Sequence, residues 1–165
     1  MTGSATIKGD LSLFRKLTVM PASVRLAVRD AMEKQAEECV DMMRRLAPKE
    51  SGALAASIGW TWGGKVPQGA IGIAAVGNGD MSITIFAGSK TAYYARWMEF
   101  GTSPHSLVKG SGNASGKGRS EYGARHPGTV AQPFFFPSWR ALRKTIRRRI
   151  QAATRAAVKK VASTS

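Results

Sequence analysis

The chain is poor in the residues that carry most protein chemistry. Of its 165 residues one is cysteine and two are histidine. A single cysteine, Cys39, excludes an intrachain disulfide framework. With only His105 and His126 beside it, a Cys/His zinc cluster has too few ligands. Acids are scarce too, ten against 25 lysines and arginines. A two-metal nuclease needs several carboxylates in one place. The one dense acidic group, Asp30, Glu33, Glu37, Glu38 and Asp41, lies among Lys34, Arg44 and Arg45 on the outer face of an expected helix. No apolar run approaches the roughly 20 residues that cross a bilayer, so no membrane partner is expected. The first ten residues lack the apolar centre of a secretory signal.

What is present is an ordinary globular composition, 43% hydrophobic and 21% charged. The length fits a single domain over 1–165 with a core of its own. The net charge of +15 points to an anionic partner or to a strongly solvated surface.

The charge is divided along the chain. Half of the ten acids lie between positions 30 and 41, whereas 138–162 holds nine bases and no acid. Residues 21–47 read as a helix, with Val24, Val28, Met32, Ala36, Cys39, Met43 and Leu46 on one face. Pro21 suits its start and Pro48 stops it. Cys39 therefore reads as core. Leu11, Leu13, Phe14 and Leu17 suggest a short preceding helix or arm.

The segment 57–87 alternates apolar and small or polar residues in three runs, 57–62, 69–76 and 81–87. Asn78-Gly79 marks a hairpin between the last two. An antiparallel β-meander follows, one face packed on helices. Residues 91–100 form a short amphipathic segment rich in aromatics. The span 101–133 carries seven of the 18 glycines. It reads as an extended flexible arm, with Lys109, Lys117 and Arg119 in its Gly/Ser-rich centre as candidate inter-subunit contacts. Residues 137–162 read as a basic helix with Trp139, Leu142, Ile146, Ile150, Ala153, Ala157 and Val161 in its apolar stripe. The expected fold class is α+β: a small antiparallel β-sheet packed by long N-terminal and C-terminal α-helices, with a long Gly/Ser-rich loop.

No catalytic constellation emerges. Gly116-Lys117 fails as a phosphate loop, because Ser111 stands where the first glycine belongs and Gly118 follows the lysine. Neither histidine has a nucleophile or orienting partner at a telling spacing. Glu99, alone in an aromatic segment, reads as a structural hydrogen-bond or salt-bridge partner. The sequence implies no cofactor and no enzyme. Arg140, Arg143, Lys144, Arg147, Arg148 and Arg149 are the candidate DNA or subunit contacts. They could neutralise phosphates, form a solvated face, or dock on the acidic helix of a neighbouring copy.

Three patches share a pattern: Leu46-Ala47-Pro48 with Ser51-Gly52-Ala53-Leu54 and Ser57-Ile58; Tyr94-Ala95-Arg96-Trp97-Met98-Glu99-Phe100-Gly101-Thr102; and Ala131-Gln132-Pro133-Phe134-Phe135-Phe136-Pro137. Together, in this order, they resemble the neck and tail-completion proteins of long-tailed bacteriophages, minor virion proteins at the head–tail junction. In these patches Gly52 would permit a turn into the strands, Gly101 would sit in a left-handed cap, and Phe136 or Trp139 would pin the last helix. The link between the second and third patches is longer here than the family usually has.

The resemblance implies a structural virion protein that joins the tail tube to the head connector as a ring around the DNA channel. Its implied partners are further copies of itself, six-fold favoured and twelve-fold the alternative, head connector or adaptor proteins, and a tail tube or terminator protein. Contact with double-stranded DNA would be weak and non-specific. Its place would be the virion tail or neck, and the host cytoplasm during assembly. The alternative reading is a basic nucleic-acid-binding regulator.

Overall fold

The three-and-four spacing of apolar residues after Pro21 produces the first element, α1, Ala22–Leu46. A computed structural model describes residues 21–50, 52–75, 81–106 and 125–163. The expected arm around Leu11 to Leu17, the Asn78-Gly79 turn and the candidate contacts Lys109, Lys117 and Arg119 lie outside these residues. Pro21 caps α1 through its carbonyl, which accepts from the amides of Val24 and Arg25. Val24, Val28, Met32, Ala36, Cys39, Val40 and Met43 are buried along one face. Leu46 departs from the expected stripe and is 51% exposed. The helix ends there, and the extended backbone of Ala47 turns Ala47 into the core instead. Gly52, at positive φ, starts a one-turn helix, α2, Ala53–Ala56, that the sequence pattern did not reveal.

The strands are β1 (Gly59–Trp62), β2 (Ile71–Ala75) and β3 (Ile83–Ala87). Their spatial order is β1-β3-β2, both pairings antiparallel. This corrects the expected meander over 57–87, in which β2 would lie in the middle. Trp62 pairs opposite Ile83, at one end of β3, whereas Ile71 pairs opposite Ala87 at the other. The linker 63–70 must therefore run back along the sheet. It does so over Gly72, where a side-chain Cβ would stand 3.1 Å from Val66 Cγ1. The Gly63 carbonyl accepts from Thr84 Oγ1 at 2.6 Å, which fastens the start of the linker to β3. Period-2 alternation identifies strands but not their neighbours. Here the bare Gly72 leaves room for Val66 of the crossing linker.

Ile73, Ile83, Ile85 and Ala87 form the buried side of the sheet. It packs on α1 and on the last helix, α4, Phe135–Ala162. Among the described elements, α1 and α4 make the most extensive contact. The observed class is α+β, two long helices on a small antiparallel sheet.

Between sheet and α4 lies α3, Ala95–Phe100, ended by Gly101 at φ 70° and ψ −179°. The positive φ was expected. The extended ψ was not, and it sends the chain into a ribbon rather than closing a left-handed cap. The ends of the expected flexible arm are regular. Thr102 bridges Thr129, and β4 (His105–Ser106) pairs antiparallel with β5 (Arg125–His126). A Cβ on Gly101 would lie 2.6 Å from the Thr129 carbonyl oxygen, so only glycine admits this pairing. The returning strand then anchors on α3, the Gln132 amide donating to the Met98 carbonyl at 2.7 Å.

Candidate functional site: assembly surfaces around helices α3 and α4

Two surfaces stand out, and a single buried carboxylate supports both. The Glu99 side chain on α3 reaches the start of α4. Its Oε2 accepts from the amides of Phe134 and Phe135, each at 2.8 Å, and its Oε1 from that of Phe136 at 2.9 Å. The opening turn of a helix has amides with no partner inside the helix, and its dipole favours negative charge there. One acid satisfies three of those amides from outside. Glu99 is only 4% exposed, which makes it a structural hydrogen-bond partner. Phe134 and Phe135 are fully buried on either side of this cap. They, together with Trp139, pin the helix; the sequence had pointed to Phe136 or Trp139, of which Trp139 is buried and Phe136 only half-buried.

The fixed α3 presents an aromatic surface. Trp97 and Phe100, three positions apart, share one face of α3, and Tyr93 in the turn before it joins them through its ring contact with Trp97; the three are 55% (Tyr93), 48% (Trp97) and 59% (Phe100) exposed. Tyr93 and Trp97 meet edge to face at 5.3 Å, and Phe100 rests on Phe136 at 5.6 Å. Val130, beside the ribbon anchor, is 83% exposed. These residues were not singled out as contacts, although their spacing within 91–100 carried the signal. Exposed aromatics gathered on a rigid element mark protein–protein contact sites.

The second surface is α4. All nine of its bases are exposed, including the candidates Arg140, Arg143, Lys144, Arg147, Arg148 and Arg149. They do not act as one group. Arg149 turns towards α1, where it pairs with Glu38 and donates to Gln35 Oε1 at 3.2 Å. Lys144, Arg148, Arg155 and Lys159 follow one another on the side opposite Trp139, Ile146 and Ile150, and Arg140 flanks them at the start of the helix.

The acids of α1, expected to serve a neighbouring copy, are mostly engaged inside the chain. Glu33 Oε1 accepts from the Trp62 indole at 3.0 Å and Glu37 Oε2 from that of Trp60 at 2.6 Å. Arg44 lies 3.8 Å from Glu37 and 3.6 Å from Asp41. Arg29 covers the Trp62 ring at 4.1 Å.

Cys39 is fully buried in α1. Desolvation, reinforced by the neighbouring Glu38 charge, pushes its thiol up to about 12, so it is a core residue and no nucleophile. Among the described residues no three His, Cys, Asp or Glu side chains gather as metal ligands. No described helix is long and apolar enough to cross a membrane. The backbones of His105 and His126 face each other across the ribbon.

No curated protein and no solved structure matches the chain. A family profile described as "Bacteriophage HK97-gp10, putative tail-component" matches residues 12–101, more than half of the 165. The match holds the first sequence patch and the second up to Gly101, where it stops. The third patch is the one that Glu99 caps, so the hydrogen bonds carry the same unit into α4. The chain belongs to the HK97-gp10-like family of bacteriophage tail components.

Proposed function

We propose that this tail component is a structural neck protein, a homo-oligomeric ring of six copies that joins the head connector to the tail tube around the DNA channel. Twelve copies is the alternative stoichiometry. The observation that carries an assembly role is the exposed aromatic surface of Tyr93, Trp97 and Phe100 on an element fixed from within by Glu99. A +15 chain repels its own copies, and a contact between copies is least opposed where charge is sparse. This face carries Arg96 as its one exposed charge between Tyr93 and Phe100. Aromatic anchors in such a patch contribute most of the free energy of a protein interface.

The role is structural and needs no reaction. A ring closes by heterologous contacts, in which one patch of each copy meets a different patch of the next. The three sequence patches, in their order, support a place at the head–tail junction. The test is a phage unable to make the protein. The neck reading expects DNA-filled heads and finished tails that remain separate in electron micrographs, rejoined when the protein is supplied. Heads joined normally to tails would overturn it.

A further inference from the structure

We propose that the outward stripe of α4, Arg140, Lys144, Arg148, Arg155 and Lys159, is a binding surface for the phosphate backbone of duplex DNA. This deepens the ring reading and relies on it only for where the DNA comes from.

The five side chains are exposed, and none lies within ion-pair distance of an acid among the described residues. Residues 135–162 contain no Asp or Glu. Of the five acids on α1, Glu38 pairs with Arg149 and Asp41 lies beside Arg44, Glu33 and Glu37 accept from the tryptophan indoles on the sheet, and Asp30 is exposed; none of them is in an ion pair with the stripe. Arg149 is thereby set apart from the stripe and belongs to the fold.

The dimensions suit a continuous polyanion. From Arg140 to Lys159 the helix rises about 28 Å at 1.5 Å per residue, close to the axial length of eight base pairs at about 3.4 Å each. Exposed Ala141, Ala152 and Ala156 lie beside the stripe and leave it open on that flank among the described residues. The stripe contains only Lys and Arg. Beside them the same face carries Gln151 as its one amide and no Asn or Glu, so cations outnumber base-reading groups and the face suits phosphates rather than sequence. An acidic protein surface presents carboxylates in patches. An acid-free row of this length fits an unbroken chain of phosphates better.

The test is fluorescence anisotropy on the full chain, with two 20-base-pair duplexes of unrelated sequence and a titration of potassium chloride. The wild type should bind both alike. Log affinity should fall with log salt at a slope of about −4.5 if five phosphates are met. A variant with Arg140, Lys144, Arg148, Arg155 and Lys159 all changed to Gln should lose at least tenfold in affinity. A control with Arg25, Lys34, Lys49, Lys65 and Lys90 changed to Gln removes the same charge from exposed positions elsewhere. It should lose less than threefold. Unchanged circular dichroism in both variants keeps the comparison valid, because every substituted side chain is exposed. Equal losses in the two variants would overturn the proposal, leaving only the overall charge. Strong preference for one duplex would overturn it in favour of a regulator. Absent DNA binding, with the stripe variant failing to incorporate into particles, would overturn it in favour of an acidic protein partner. None of these outcomes moves the ring reading, which is decided in the particle.

Discussion

Glu99 and Phe134 lie 35 positions apart, and the Phe134 amide donates a 2.8 Å hydrogen bond to the Glu99 carboxylate. With the parallel bonds from Phe135 and Phe136, it converts a side chain of α3 into the cap of α4. The aromatic surface on α3 and the basic surface on α4 are thereby held in one rigid relation.

Removal of this cap should be costly. Glu99→Ala leaves three buried helix-terminal amides without their acceptor, and should lower stability by about 2–4 kcal/mol in urea unfolding. Glu99→Gln keeps the volume but turns an NH2 group towards amides that also donate, so it should recover less than half of the loss. A loss below 1 kcal/mol in the alanine variant would mean that the cap is not what fixes α4.

The ribbon depends on a residue with no side chain. Gly101→Ala would force a Cβ to within 2.6 Å of the Thr129 carbonyl at a φ of 70°. About 1–3 kcal/mol of strain is expected. Release by opening the ribbon would appear as faster hydrogen exchange at the Thr102 and Thr129 amides, with α1 unaffected. Unchanged exchange would contradict the pairing.

Much of this arrangement was legible in the sequence, and the exceptions have physical reasons. The two long helices followed from periodic apolar faces and from Pro21 and Pro48. The strands followed from alternation. Their order did not, because the linker 63–70 crosses back over the sheet past Gly72, a path invisible to periodicity. Glu99 was identified as a structural partner, but its target 35 residues on could not be read, since capping from another element leaves no local spacing. The basic helix was seen whole. Its division into an intramolecular Arg149 and an outward stripe needed the position of α1.

That division is itself measurable. Arg149→Gln removes a half-exposed ion pair with Glu38 and should cost about 0.2–1 kcal/mol, a range usual for such pairs. Arg148→Gln, one residue away on the stripe, should cost nothing detectable. A double-mutant cycle of Arg149→Gln with Glu38→Gln should show positive coupling. Additive losses would show that the two side chains do not interact.

Cys39 should resist alkylation in the folded protein and react only on unfolding. Its thiol pKa is raised from 9.0 to about 12 by burial, so the folded state holds its proton where the unfolded state has lost it. The associated stability is complete below pH 9 and declines by about 1.4 kcal/mol per pH unit as pH rises towards 12. Comparison of wild type with Cys39→Ala between pH 8 and 11 isolates this contribution. The wild type should lose stability more steeply, and parallel curves would contradict the burial argument.

The neck assignment is tested most directly by electron cryomicroscopy of intact particles, with the density at the head–tail junction traced. A closed ring of six copies, or of twelve, between the head connector and the tail tube is the predicted result, with α4 facing the DNA channel. A monomeric or dimeric copy at the junction, or particles whose junction contains no density for this chain, would contradict it.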